Sequence, residues 1–272
     1  MSATAAPGIR MLIASQETKS RTEAAYFRLR ADILACRLKP GARLKINELC
    51  AALDVSLGAV REALSRLSAE GLVVAEAQKR FQVAPISVAD LEDLTQVRIE
   101  IETLCLRRAI AARTLDWESG LVAAFHRLSR LPVRTPGDER RLSEDWAQAH
   151  ADYHLALVAS CDSLWLLRVR AMLYAQSERY RRLSAPVTES WRDVDAEHRD
   201  IMQAALAGDA RKACALLISH LLTTKDLVRD LAERTTQQKP EDIRARPLPA
   251  RLGQSRPRAR NLRARKRNPA KA

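Results

Sequence analysis

The sequence predicts a mainly α protein with an N-terminal winged helix-turn-helix domain and a C-terminal all-α antiparallel bundle. Apolar residues recur at helical spacing through most of the 272 residues. Two strand-like segments lie between residues 72 and 83, and proline and glycine divide the remainder into further helices. The length suits two domains, and the apolar fraction of 47% excludes a chain that is disordered throughout.

The first predicted domain covers residues 22–86 and contains three short helices followed by a two-stranded wing. Ser56 is a good N-cap for the third helix, and Gly71 suits the left-handed residue that ends it. Residues 72–74 and 81–83 are the predicted strands. The three helices are marked by Tyr26, Leu29 and Ile33, then by Ile46, Leu49 and Leu53, and then by Val60, Ala63, Leu64 and Leu67.

Two flanking segments differ in composition from the domains. Residues 1–21 are expected to form a flexible N-terminal arm, and residues 237–272 a disordered basic tail. Residues 239–272 hold 12 Lys or Arg and two acids, so they supply +10 of the formal net charge of +13. The net positive charge suggests nucleic acid as a partner, and most of that charge lies in the tail.

The five scattered cysteines form no CxxC pair, which argues against a disulfide framework. No apolar run approaches the length of about 20 residues that a membrane span needs. We therefore expect a soluble, cytoplasmic protein that does not enter a membrane.

The third helix carries the chemistry expected of a recognition helix. Its apolar face is buried, so its other residues near the N-terminus face outward and can meet bases in the major groove. Arg61 can bind guanine O6 and N7 with two hydrogen bonds. Basic residues around it suit phosphate contacts, although exposed arginines and lysines are commonly ordinary surface charges. The expected DNA-binding residues are Arg43, Lys45, Ser56, Leu57, Gly58, Arg61, Lys79 and Arg80.

The second predicted domain, residues 87–236, shows no strand pattern and reads as six helices with short connections, which is typical of a bundle. Ser87, with Asp90 three residues later, begins the first and longest helix. The other helices are expected at 117–130, 139–160, 163–183, 191–207 and 210–234.

Four of the five histidines fall inside these helices. His150 and His154 are four residues apart and project from one face, while His198 and His220 lie on the apolar sides of two later helices. Imidazoles from three helices can bind a divalent first-row metal ion such as zinc or nickel. Alternatively, each is a buried, hydrogen-bonded histidine.

The first domain resembles the DNA-binding domain of GntR-type bacterial regulators. The resemblance rests on the segments LRADILACRLKPGARLKINELCAAL, DVSLGAVREALSRLSAEGLV and VAPIS. It implies that Arg61 contacts bases and that Arg43 lies in a basic loop. Leu57 and Gly58 replace polar residues common in the family, so base reading there is expected through thymine methyls or DNA shape. Lys79-Arg80-Phe81 replaces the common Arg-Gly-Phe of the wing.

The second domain resembles the FadR-like (FCD) branch of that family, through DLEDLTQVRIEIE, AHADYHLALVASCDSLWLLRVR and EHRDIMQAALAGDARKACALLISHL. The resemblance implies a metal ion held by one aspartate and three histidines. The three histidines of the family match His154, His198 and His220 in this sequence. His150 occupies the aspartate position, so the site here is all-histidine.

Such a domain also implies a small carboxylate effector. Arg98 matches an arginine of the family and can grip a carboxylate, or it can pair with Glu102 one turn away. Tyr174 and Arg179 are further candidates for effector binding, or they lie on a solvated edge of their helix. The segment from Ser163 to Leu183 is similar to a carbon-starvation subgroup, which implies a short dicarboxylate such as glutarate.

The leading hypothesis is a homodimeric transcriptional regulator. It would repress transcription by binding operator DNA, and a carboxylate effector would release it from that DNA. One alternative is a metal-dependent enzyme built on the bundle, although no HExxH motif or nucleophile elbow is present. Another is a nonspecific nucleic-acid binder that acts through the basic tail.

Overall fold

The computed structural model describes residues 7–76, 80–184 and 192–238. The first domain is a three-helix unit with a small sheet, as the sequence predicts. Its elements are α1 (Pro7–Leu34), β1 (Arg43–Leu44), α2 (Ile46–Leu53), α3 (Leu57–Ala69), β2 (Val73–Glu76) and β3 (Arg80–Val83).

The helix-turn-helix is formed by α2 and α3, and its turn is fixed by local hydrogen bonds. Asp54 adopts a left-handed conformation at the end of α2, with φ 51°. The Ser56 side chain then accepts a hydrogen bond from the Ala59 backbone N–H at 3.3 Å, which confirms it as the N-cap of α3. Gly71 follows α3 with φ 70°, a conformation in which glycine is favoured.

The wing is a three-stranded antiparallel sheet in the order β1-β3-β2. Strands β2 and β3 pair Val73 with Val83, whereas β1 pairs Leu44 with Phe81. The sequence predicted two strands, because a two-residue strand is too short to show an alternating pattern. The apolar core beneath the sheet contains Leu29, Ile33, Leu44, Val60, Leu64, Leu67, Leu72 and Val83.

The N-terminal segment differs from its predicted flexible arm, because α1 already begins at Pro7. About half of residues 7–21 are good helix formers (Met11, Leu12, Ala14, Gln16, Glu17, Lys19 and two arginines), which allow α1 to extend toward the N-terminus. The predicted basic tail, from residue 239 onward, lies outside the described residues.

The second domain contains the six helices that the sequence predicts, together with a hairpin that it does not. The elements are α4 (Val88–Ala112), α5 (Leu115–Leu128), β4 (Arg134–Thr135), β5 (Asp138–Leu142), α6 (Glu144–Ala156), α7 (Leu164–Ser184), α8 (Val194–Leu206) and α9 (Ala210–Gln238).

The hairpin corrects the prediction of a helix beginning at Glu139. Strands β4 and β5 are antiparallel and pair Arg134 with Leu142. Gly137, with φ 84°, lies in the tight turn, and the helix begins only after Ser143, whose side chain caps the Trp146 N–H. The hairpin therefore covers one side of the domain just before α6.

The main core of the second domain is an apolar cluster between α4, α5, α6, α8 and α9, and a smaller cluster contains Leu91, Tyr180 and Val228. Tyr153 is fully buried within the main core, and its hydroxyl donates a hydrogen bond to the His198 carbonyl at 2.7 Å. Other members include Leu106, Trp117, Leu121, Leu128, Leu157, Ile201 and Leu217. No described helix is long and apolar enough to cross a membrane.

The two domains are connected by residues 84–87, called here the interdomain joint, which is bonded at both ends. The Ala84 N–H donates to the Leu72 carbonyl at 3.0 Å, and Arg179 of α7 donates to the Ala84 carbonyl. At the other end, the Ser87 N–H donates to the Tyr180 hydroxyl at 3.3 Å. Helix α7 thus holds the joint against the second domain.

Candidate functional site

The outward face of α3 is a candidate DNA-reading surface. Val60 and Leu64 are buried against the core of the first domain, which leaves Leu57, Gly58 and Arg61 exposed. No hydrogen bond or ion pair among the described residues engages the Arg61 side chain. A free guanidinium at this position can therefore bond a base edge without first breaking an internal contact.

The predicted phosphate-contacting residues surround this face. Arg43 lies exposed on β1 and Arg80 at the start of β3, so both belong to the wing sheet. Lys45 is exposed next to α2 and forms an ion pair with Glu48 at 2.6 Å, which an approaching phosphate can replace. Lys79 lies outside the described residues.

The four predicted histidines come together in the second domain. His150 and His154 lie on α6, His198 on α8 and His220 on α9. One nitrogen from each lies within 4.8 Å of the others, and the Nε2 atoms of His150 and His154 are 3.2 Å apart. Tetrahedral zinc binds nitrogen at about 2.0–2.1 Å, which places ligand nitrogens about 3.3 Å apart. We call this group the histidine cluster.

The environment of the cluster favours neutral imidazoles whose lone pairs are available. All four histidines are buried, and burial is the main cause that lowers the pKa of each one. His198 is 0% exposed, and neither of its ring nitrogens has a hydrogen-bond partner among the residues that the structure describes. Such an unpartnered, buried imidazole is costly unless a ligand fills the gap, so the cluster fits a metal ion.

Neighbouring side chains orient two of the histidines. His220 Nδ1 lies 2.8 Å from a Glu197 carboxylate oxygen, an arrangement in which Nδ1–H donates and Nε2 stays free. Burial raises the pKa of Glu197, but hydrogen bonds from Arg192 and His220 outweigh it and lower the value to about 2. His150 Nδ1 lies 3.0 Å from the Tyr174 hydroxyl.

A cavity of about 410 Å³ opens directly onto the cluster. Arg98 faces it as predicted and also forms the alternative pair with Glu102, at 3.3 Å. Tyr174 lines a smaller neighbouring pocket that shares Arg98 and His150. The cavity is lined by His150, His154 and His220, by Arg98, Arg134, Arg181 and Arg192, by Asp193 and Asp195, and by several apolar residues.

The prediction that Arg179 binds the effector is not supported by its position. Its guanidinium donates to the Ala84 carbonyl and to Gln176 Oε1 at 3.1 Å, so it holds the interdomain joint instead of lining the cavity. Conversely, sequence patterns do not identify Arg181 and Arg192, which line the cavity, or Glu197, which contacts His220. The position of Glu197 next to His198 in the sequence is the only local signal that it belongs to the site. The positions of the two arginines depend on tertiary packing.

An exposed helix-turn-helix with a wing, joined to a helical domain that encloses a histidine-lined cavity, is typical of a transcriptional regulator. Residues 21–83 match the gntR family of bacterial regulatory proteins, and residues 93–223 match the FCD domain. The chain belongs to the GntR family and carries an FCD domain.

Curated relatives and solved structures agree with this assignment. The chain is 43% identical to the HTH-type transcriptional regulator BphR of Paraburkholderia xenovorans, over 78% of this chain and 86% of that protein. It is 33% identical to the HTH-type transcriptional repressor GlaR of Escherichia coli, over 73% and 91%. The fold is similar to that of E. coli McbR/YncC, with a TM-score of 0.66 and 19% identity, over 78% and 98%.

Proposed function

We propose that this protein is a homodimeric repressor that a small carboxylate releases from operator DNA by binding beside a metal ion in the second domain. The observation that carries the proposal is the unpartnered His198 imidazole, which lies in a cluster with three histidines that line an arginine-bearing cavity. One domain offers a surface for DNA and the other a site for a small ligand, and the relatives include a named repressor.

His150, His154, His198 and His220 are the residues that would hold the metal ion. A bound zinc or nickel ion would add positive charge at the base of the cavity and help to anchor an anion. Imidazole suits both metals, and the absence of a carboxylate ligand makes the site less suited to magnesium or calcium. Glu197 and Tyr174 would hold His220 and His150 in the orientation that leaves Nε2 toward the ion.

An anionic effector is supported by a surplus of buried positive charge. The buried Glu102 carboxylate is shared by two arginines, Arg98 at 3.3 Å and Arg170 at 2.8 Å. Two cations against one anion, in a site shielded from water, leave a net positive charge that an incoming carboxylate would balance. Arg98 is the member of this group that lines the cavity.

The DNA-binding part of the proposal depends on α3 and the wing. Two copies of the first domain would place two recognition helices in successive major grooves, about 34 Å apart, on a palindromic operator. The carboxylate would favour a dimer geometry that no longer matches this spacing.

The test is an electrophoretic mobility shift with the full-length, zinc-loaded protein and the DNA upstream of its own gene. We expect a discrete complex at moderate salt that competitor DNA of random sequence does not displace, and a dimer mass by light scattering. A complex that random DNA displaces equally well would contradict sequence-specific regulation. Titration with a set of carboxylates then asks whether any releases the DNA.

A further inference from the structure

The cavity beside the histidine cluster has two chemically different ends. The polar end contains His150, His154 and His220 together with Arg98. The other end is lined largely by apolar side chains from the hairpin and from α6, α8 and α9. These are Val133, Leu142, Trp146, Val194, Leu221 and Leu227.

Helix geometry shows how far the apolar wall extends: it begins beside the cluster, at Trp146 and Leu221, and continues along α9 to Leu227. Along α6, Trp146 precedes His150 by one turn and His154 by two, and the Trp146 ring stacks on His150 with centroids 4.8 Å apart. Along α9, Leu227 follows His220 by two turns. A rise of 1.5 Å per residue therefore puts Leu227 about 10 Å along the helix axis from the cluster. The cavity is thus long enough for a ligand body beyond its anchoring group.

Acidic side chains accompany the arginines along the apolar wall of the cavity, unlike the region around Arg98. Arg181 is bonded to Glu178 at 2.6 Å and lies over the Trp146 ring. Asp193 and Asp195 line the cavity together with Arg134 and Arg192. A second carboxylate at this end would lose its hydration without finding surplus positive charge, and it would lie against apolar walls.

We propose that the effector is a carboxylate with one charged end and a bulky apolar body, rather than the short dicarboxylate that the subgroup resemblance implies. This inference rests on the proposed function and specifies its ligand. The carboxylate binds at the Arg98 and histidine end, and the body lies between the hairpin, Trp146 and the Leu221–Leu227 face of α9. A water molecule takes about 30 Å³ of liquid, so the cavity has room for about a dozen waters, more than a short dicarboxylate displaces.

Calorimetric titration of the full-length, zinc-loaded protein tests the inference with three probes: phenylpropionate, glutarate and phenylpropionamide. We expect phenylpropionate to bind at least about tenfold more tightly than glutarate, because its ring gains apolar burial. The amide should bind weakly, because it keeps the ring but lacks the charge.

Two leucine variants locate the binding. Leu227→Ala should weaken phenylpropionate binding about tenfold and leave glutarate binding unchanged. Leu115→Ala, at an 80% exposed leucine on α5, is the matched control and should change neither. Thermal melts of both variants check that they fold like the parent protein.

The possible results separate this inference from the function on which it rests. Glutarate binding more tightly than phenylpropionate would overturn the inference and leave a carboxylate-responsive repressor intact. Equal binding of the acid and the amide would overturn it as well, because the ring alone would then account for the affinity. If no acid binds the zinc-loaded protein, both the inference and the carboxylate effector are wrong.

Discussion

Gln176 on α7 donates a hydrogen bond of 2.8 Å from its side-chain amide to the backbone carbonyl of Glu70, the residue that ends the recognition helix α3. Two residues earlier on α7, the Tyr174 hydroxyl contacts His150 of the histidine cluster. One helix therefore contacts both the histidine cluster and the end of α3. A shift of α7 caused by metal or carboxylate would act directly on α3.

Gln176→Ala should uncouple ligand binding from DNA release. The variant loses the contact with Glu70 but keeps the exposed face of α3 and the lining of the cavity. We expect each separate affinity to change less than twofold, while the ratio of DNA affinities without and with ligand falls several-fold. Parallel DNA and ligand titrations measure this ratio. Gln96→Ala, at an exposed glutamine on α4, should leave the ratio unchanged.

His198→Ala should abolish the stabilisation that a metal ion gives. Zinc or nickel at a hundred times its Kd is expected to add about 2.7 kcal/mol to the free energy of unfolding of the parent protein. Removal of one of four ligands should eliminate most of that gain, as measured by thermal melts with and without metal or chelator. His126→Ala alters an exposed histidine of α5 and is the control. Equal stabilisation of the two variants would argue against the cluster as the metal site.

Arg61→Ala should reduce sequence preference more than overall affinity. Loss of a two-bond contact to guanine costs about 1–3 kcal/mol of discrimination, whereas the dependence on salt should hardly change. Binding to operator and random DNA at several salt concentrations separates the two effects. Arg211→Ala, at an exposed arginine of α9, should behave like the parent protein.

Glu178→Gln should destabilise the protein at neutral pH and less so in acid. Burial raises the pKa of Glu178, but the charges and hydrogen bonds of Arg181 and Arg182 lower it by more. The net shift of the pKa is therefore downward. The ionised form therefore stabilises the fold above the unfolded-state pKa, and this contribution is lost as pH falls through the folded-state pKa. Breaking such a buried pair costs about 3 kcal/mol. Urea unfolding at pH 7 and below pH 4 should show the difference between variant and parent shrinking.

Deletion of residues 239–272 should lower affinity for random DNA while operator preference remains. This segment supplies +10 of charge, so its loss should make the dependence of binding on salt shallower. Filter binding to operator and random DNA over a range of salt concentrations measures both quantities. Complete loss of operator binding would instead support the alternative of a nonspecific binder that acts through its tail.

Much of the site could be predicted because local rules and residue chemistry agree there. Ser56 and Ser87 are helix caps in the structure, and the buried face of α3 follows the apolar spacing. The histidines were identified because imidazoles on the apolar faces of helices have to meet in the core. These features depend on the helical spacing of apolar residues and on helix-capping residues, both of which can be recognised in a single sequence.

Other features depend on tertiary contacts that local patterns do not encode. Residues 139–142, the second half of the hairpin, are predicted as the start of a helix, because their charged residues carry no alternating apolar pattern. Arg179 was placed at the ligand site because it lies on the same helix as Tyr174. In the structure, five residues along α7 separate a side chain at the cluster from one at the interdomain joint.

The bonded interdomain joint separates two kinds of change in DNA recognition. Because residues 84–87 are hydrogen-bonded at both ends, the distance between the recognition helices of the proposed dimer would depend on this joint and on the dimer contact. A new half-site spacing would then require a different joint or a different dimer contact. A new half-site sequence would need only substitutions at exposed residues such as Leu57, Gly58 and Arg61. This chain is therefore better suited to exchange one operator sequence for another than to exchange one operator geometry for another.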